Sequence, residues 1–455
     1  MKQNSNLSRR NFLKSSATIG TIGAVGSIGG IPLLSSCSPT VKEENRKDLL
    51  LPQLLSQAPD GPVLKAGLVG CGGRGTGAAI DFLNAGPNLQ IVALGDVFQD
   101  KIDACRDLLK KEKNVDIPDE NCFIGFDSYE KVLDSGIDVV LLCTPPHFRP
   151  THVEAAVNAR KHIFMEKPIA VDPAGVRKVL ASVKRAQSLK LNIISGTIRR
   201  SQKDYMETRR RVLNGEIGDI TGAHIIRNGG ALWFRSRRPE WTDMEYMLRN
   251  WVNFCWLSGD HITEQFIHEI DVMNWYLGEY PIKASGWGGR QRRVTGDQFD
   301  FFSIEYLYDN GMRTHCAARQ IDGCSNGKVE QINCTNGYAD AAGKLYDLKG
   351  NVIWEYPLPE NNNADSEWSV TNPFVQEHIN LVTAIRTGNT VNDGEDQAYS
   401  TLVAIMGRVA AYTGRDVTWD EIMNADLYLG PQTYVMGSVE GINETPPSAG
   451  VQHSE

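Results

Sequence analysis

Three groups of residues in this chain have types and spacings suited to chemistry. The first is Gly70-Cys71-Gly72-Gly73-Arg74-Gly75, a G-x-G-x-x-G sequence. In such a loop Gly70 makes a tight turn, Gly72 lets a pyrophosphate approach the backbone, and Gly75 lets a helix pack on a strand. The helix that follows, from Thr76, brings free N–H groups and a positive dipole that suit phosphate oxygens. Asp96 follows about twenty residues on, where an acid accepts hydrogen bonds from ribose hydroxyls. It also repels a 2′-phosphate, and Val97-Phe98-Gln99 offers no arginine to such a phosphate. NAD is therefore expected rather than NADP.

The second group is Thr144-Pro145-Pro146 and Glu166-Lys167-Pro168, each at the end of an apolar run. A lysine at the carboxyl end of a buried strand is partly desolvated, which lowers its pKa. It can then share a proton with a substrate hydroxyl. Pro168 lacks an N–H and ends the ladder there. The third group is His261, Glu264, His268 and Asp271, at i, i+3, i+7 and i+10 on a helical stripe. Spacing alone leaves three readings open: an acid–base cluster, a zinc site, or a satisfied polar face.

The elements that must position these residues alternate. Val63–Val69, Leu89–Gly95, Ile137–Cys143, His162–Met165 and Leu191–Gly196 read as buried strands, with helices at Thr76–Ala85, Lys101–Lys111, Tyr129–Leu133 and Thr151–Ala159 between them. That pattern predicts an N-terminal Rossmann domain, a doubly wound parallel sheet, over residues 62–196. Beyond it, a polar helix at Ser201–Asn214 precedes strands at Ile220–Arg227, Ile282–Gln291, Phe299–Leu307, Arg313–Arg319 and Val329–Thr335. These predict a C-terminal α+β domain, residues 197–425, on an open, largely antiparallel sheet with one face available to a substrate or a partner subunit. Helices at Pro373–Gly388 and Asp396–Gly414 are expected to return to the first domain, and residues 426–455 form an extension. Trp233, Phe234 and Arg235–Arg238, followed by Trp241, Tyr246, Trp251 and Trp256, set aromatics beside arginines, a combination that suits stacking on a sugar or packing at an interface.

The four motifs in this order, Gly-rich loop, Asp96, Thr-Pro-Pro and Glu-Lys-Pro, resemble the glucose–fructose oxidoreductase and inositol dehydrogenase family (Gfo/Idh/MocA) over about residues 62–425. The resemblance implies that Lys167 sits between nicotinamide and substrate, with Pro168 in cis. Relatives carry Asp and then His four residues later as catalytic or substrate-binding groups; Glu264 and His268 hold those positions, the glutamate longer by one methylene. His268 is then the hydroxyl-facing base and Glu264 its orienting partner, and no metal is needed. Where many relatives have a histidine after the Thr-Pro motif this chain has Arg149, flanked by His147 and His152. The cofactor is expected to touch Gly70, Gly72, Gly73, Arg74, Gly75, Asp96, Thr144, Pro145, His147, Glu166 and Lys167, and the substrate Arg149, Arg200, Trp233, His261 and Asp271.

The N-terminus bears on how such chemistry is sustained. Ser8-Arg9-Arg10-Asn11-Phe12-Leu13-Lys14, followed by the uncharged run Ser15–Ser36, resembles a twin-arginine export signal. Five glycines in that run disfavour a spanning helix, which wants about twenty strongly apolar residues. Leu34-Ser35-Ser36-Cys37 resembles a lipoprotein box, with Cys37 the acylated residue. Residues 1–36 are expected to be a leader and 37–61 a tether, giving a periplasmic, lipid-anchored protein that touches the membrane only through its lipid. An exported enzyme leaves the cytosolic NAD pool, so a tightly bound cofactor must be recycled. The resemblance implies hydride transfer to and from a carbohydrate or glycoside, and a homo-oligomer. Either a second sugar takes the hydride, or the route is redox-neutral: oxidation at C3 of a glycoside, elimination, water addition and re-reduction. A sugar-binding lipoprotein without turnover is the reading from another class.

Composition excludes other classes. A net charge of −8 argues against a nucleic-acid binder. Nine cysteines are too few for a disulfide scaffold in this length. With 41% hydrophobic and 22% charged residues the chain is globular, and 455 residues suffice for two or three domains.

Overall fold

A computed structural model of the chain describes residues 54–358, 372–440 and 444–450. The expected leader, Cys37 and most of the expected tether lie outside the described residues. The last part of that tether, residues 54–61, departs from expectation and belongs to the first domain. Ala58 is buried and its N–H donates to the Ala85 carbonyl at 2.8 Å. Arg386 holds the Pro59 and Pro87 carbonyls at 2.6 and 2.8 Å.

The first sheet contains β1 (Leu64–Val69), β2 (Leu89–Asp96), β3 (Cys122–Ile124), β4 (Val139–Leu142), β5 (His162–Met165) and β6 (Ile193–Ser195), all parallel, in the order β3-β2-β1-β4-β5-β6. This is a doubly wound Rossmann sheet. Every residue of β4 is buried, as a parallel strand covered on both faces requires. Strand order reverses between β1 and β4, and the crevice at the carboxyl ends of those strands is the place such sheets bind ligands. Gly70 follows β1, Asp96 ends β2, Thr144 follows β4 and Lys167 follows β5, so the topology alone gathers them at one edge.

The second sheet has nine strands. They are β7 (Ile220–Gly229), β8 (Lys283–Gly289), β9 (Phe301–Leu307), β10 (Arg313–Gln320), β11 (Gly327–Cys334), β12 (Gly337–Asp340), β13 (Lys344–Asp347), β14 (Val352–Glu355) and β15 (Val417–Thr418). Their order is β14-β13-β12-β11-β7-β10-β9-β8-β15, antiparallel except for the parallel pair β7–β10. Alternate residues of β9 (Phe302, Ile304, Tyr306) are buried, the period of a sheet with one covered face.

The buried helix Gly394–Thr413 joins the two halves: it packs on the helix Pro173–Ser188 and on β8 and β9. Pro373–Thr387 returns to lie against the helix Gly73–Asn84. A smaller apolar cluster forms from Met244, Tyr246, Leu248, Phe254 and Trp256, against Phe98, Phe126 and Phe148 of the first domain and Leu429 and Tyr434 of the C-terminal extension. Among the described residues no helix is long and apolar enough to cross a membrane, and eight cysteines are free.

Candidate active site

The glycine loop has the geometry its sequence requires. Gly70 has φ +95°, and a Cβ there would lie 2.7 Å from the Cys143–Thr144 backbone. A Cβ on Gly75 would lie 1.8 Å from the Gly70 carbonyl, so only glycine permits this helix-to-strand approach. Above Gly72 and Gly73 there is open space. The helix Gly73–Asn84 begins there with no side-chain cap, leaving its first N–H groups free for an anion. Asp96 accepts the Cys71 N–H at 2.7 Å and the Phe98 N–H at 3.0 Å, one on each oxygen. These bonds aim the carboxylate, and each oxygen keeps a lone pair for a ribose hydroxyl.

A cavity of about 470 Å³ lies over this loop, bounded by Gly70, Gly72, Gly73, Arg74, Gly75, Asp96, Thr144 and Pro145 on the sheet side. Its opposite wall is Trp233, Arg235, Leu248, Arg249 and Trp251. Size, open glycines, uncapped helix end and ribose-facing acid together fit a dinucleotide.

Lys167 does not line this cavity; it follows β5 at the same sheet edge, on a cis Lys167–Pro168 bond. Its ammonium donates to the Glu264 carboxylate at 2.9 Å and to the Glu264 carbonyl at 2.6 Å. Glu166 points the other way. Its carboxylate takes Arg74 Nε at 2.5 Å and the Lys167 N–H at 3.1 Å, tying the glycine loop to the lysine turn. Gly196 leaves room for it, since a Cβ there would fall 2.7 Å from the Glu166 carboxylate. His268, at the start of the helix that follows Glu264, has a buried Nδ1 with no partner among the described residues. Burial, and then the cations Lys167, Arg199, Arg227 and Lys328, hold its pKa well below the ordinary histidine value, so it is neutral at neutral pH. The pair Lys167–Glu264 with His268 alongside can bind a hydroxyl, accept its proton and return it.

Other expected site residues lie elsewhere. The stripe from His261 to Asp271 is not one helix: His261–Glu264 ends before Gln265, Phe266 is buried at the break, and a new helix runs Ile267–Leu277. His261 is buried edge-on against Phe302, and burial lowers its pKa to about 3. Asp271 is buried too and takes Arg200 on both oxygens at 2.9 Å, together with Ser400 at 2.9 Å. That pair ties the second domain's helix to residues 199–201 and leaves neither side chain for a substrate. Arg149 is 1% exposed and donates to the Pro168 and Thr144 carbonyls, so it braces the lysine turn from beneath. His147 does not line the large cavity. Its Nε2 meets Tyr434 Oη at 2.7 Å, and burial lowers its pKa to about 4. Trp233 lies in the dinucleotide cavity rather than beside Lys167. Among the described residues no group of His, Cys, Asp and Glu could hold a metal. Sequence reasoning missed Arg249, Leu248 and Tyr434; the Trp/Arg alternation was the only signal for that wall.

Comparison with known proteins agrees with this geometry. The family profile described as "Oxidoreductase family, NAD-binding Rossmann fold" (Gfo/Idh/MocA) matches residues 64–192. An inositol 2-dehydrogenase of Salmonella typhimurium is 28% identical over 216 residues, 48% of this chain and 55% of that protein. A 2,7-anhydro-N-acetylneuraminate hydratase of Escherichia coli is 26% identical over 228 residues, 50% of this chain and 53% of that protein. The chain thus spans about half the length of the curated relatives it matches. The crystal structure of scyllo-inositol dehydrogenase from Lactobacillus casei with NAD(H) and scyllo-inositol superposes with a TM-score of 0.58 at 21% identity, over 78% of this chain and 99% of that one. Residues 64–192 are thus similar to the NAD-binding Rossmann domain of the Gfo/Idh/MocA oxidoreductase family.

Proposed function

We propose that this protein is an NAD-dependent oxidoreductase that moves hydride between a carbohydrate carbinol and a tightly held nicotinamide. The observation that carries this reading is Lys167 hydrogen-bonded to Glu264, with neutral His268 at the start of the next helix, at the sheet edge where Arg74 of the dinucleotide cavity holds Glu166. The bound nicotinamide supplies the hydride acceptor. Lys167 orients the substrate hydroxyl with its ammonium, and Glu264 holds that ammonium in place. His268, kept neutral, takes the hydroxyl proton as the C–H bond gives up hydride, and returns the proton when the carbonyl is reduced.

Two features favour a net redox-neutral outcome as the second reading. One relative is named a hydratase, and second-domain residues close over the dinucleotide cavity. In that route hydride leaves C3 of a glycoside, the new ketone acidifies C2–H, and elimination expels the aglycone. Water then adds, and the same hydride returns to C3. The two-carboxylate arrangement of ordinary glycosidases is not required. We further propose export by the twin-arginine route, lipid anchoring at Cys37 in the periplasm, and assembly as a homo-oligomer. Export makes internal recycling of the nicotinamide necessary.

The test is to extract nucleotide from purified folded protein, then incubate the protein with sugars and aryl glycosides without added cofactor. Bound NAD with repeated aglycone release supports the redox-neutral route. Bound NAD with accumulating NADH supports a dehydrogenase. Protein that neither contains nor takes up NAD contradicts both and leaves a sugar-binding lipoprotein.

A further inference from the structure

We propose that residues 233–251 of the second domain form an adenosine-binding element that retains the dinucleotide through turnover, an inference that rests on the NAD reading above. Trp233, Arg235, Leu248, Arg249 and Trp251 face Asp96, Phe98 and Lys101 across the cavity. Asp96 is the ribose-facing acid, so this wall meets the adenosine end rather than the nicotinamide end.

The wall is built, although much of it is irregular chain. Asn250, fully buried, accepts the Arg235 N–H at 2.5 Å and donates to the Tyr246 carbonyl at 3.1 Å. Buried Asn253 donates to the Trp233 carbonyl at 3.1 Å. Two buried amides therefore fix the backbone of a loop in which Trp233 remains 49% exposed. A half-exposed indole on a fixed backbone, with the Arg235 guanidinium 5.8 Å over its ring, offers stacking area for a purine.

Arg249 clasps this wall to the first domain. It holds Asp100 with two hydrogen bonds, 2.9 and 3.1 Å, and is braced by Glu245 at 2.9 Å. Its guanidinium lies 4.0 Å over the Phe98 ring. Phe98 and Asp100 follow Asp96 in the chain, so the clasp closes beside the ribose. Adenosine is gripped by both domains, and leaving requires the clasp to open.

The experiment loads the purified full chain with NADH, chases with excess NAD, and follows loss of energy transfer from tryptophan to bound NADH. Trp233→Ala and Arg249→Ala should each speed release by roughly 10- to 100-fold, the scale of one lost charge-assisted or stacking contact. High salt should speed release from the wild type and leave Arg249→Ala nearly unaffected, because the Arg249–Asp100 pair is partly solvated. Release at the wild-type rate from both variants would overturn the proposal while leaving the NAD reading intact. A wild type that neither contains NAD nor takes up NADH would remove that reading itself. Trp233→Ala removes a half-exposed side chain, so it tests the proposal even where Arg249→Ala does not fold.

Discussion

Lys167 has its ammonium committed to one carboxylate and one carbonyl of the same residue, Glu264. Replacing that carboxylate by a neutral amide keeps the volume and removes the charge that fixes the lysine. Glu264→Gln should therefore lower kcat by about 10²-fold with little change in bound NAD, the scale of a misplaced proton-transfer group. Steady-state kinetics beside nucleotide extraction measures this; loss of NAD instead would move Glu264 into the cofactor site. His268 supplies a pH signature. Its pKa is lowered in the fold, so the neutral form that accepts a proton persists on acidification past the ordinary histidine value. The acidic limb of kcat/KM should fall below the range of a free histidine, about 6.5. A limb at that ordinary value would show that His268 is solvated or is not the base.

At the scale of elements, the parallel strands were the most legible part. Buried strands such as Val139–Leu142 are unbroken apolar runs, and each motif follows the end of one. The glycine loop was legible because Gly70 and Gly75 stand where no other residue fits. The stripe from His261 to Asp271 was not, because helical spacing assumes a continuous helix and the burial of Phe266 interrupts it. Strands β12, β13 and β14 carry too few residues each to show a period. Trp233 and Arg149 were legible by type only; a local pattern does not encode where a loop lands or that a guanidinium turns inward to a carbonyl. The C-terminal extension gave no sign that Tyr434 would reach His147. The burial of His147 has a measurable cost in acid. His147 stays neutral in the fold down to about pH 4, whereas in the unfolded chain it gains its proton near 6.5. Stability is therefore lost as pH falls through that window, by about 3 kcal/mol at its lower end. Urea melts should show the wild type losing that amount relative to His147→Gln between neutral pH and pH 4; parallel losses would mean that His147 is charged in the fold.

At the scale of the whole molecule, two sheets share the helix Gly394–Thr413, and the second domain and C-terminal extension close over the nucleotide edge of the first. That closure and the proposed export address the same need, keeping one nicotinamide in place where no pool replaces it. If Cys37 is the acylated residue, cells fed labelled palmitate should label the wild type and not Cys37→Ser, and the variant should leave the membrane fraction; equal labelling would remove the anchor. The central claim is that nicotinamide held by this fold exchanges hydride with a carbohydrate at Lys167. The most direct measurement is single-turnover absorbance of reduced nicotinamide when the holoprotein meets a panel of sugars and glycosides, with Lys167→Ala in parallel. A transient or lasting rise with at least one sugar, slowed about 10²- to 10⁴-fold in Lys167→Ala with NAD still bound, is the predicted result. No rise with any sugar, or an equal rise in both proteins, would contradict it.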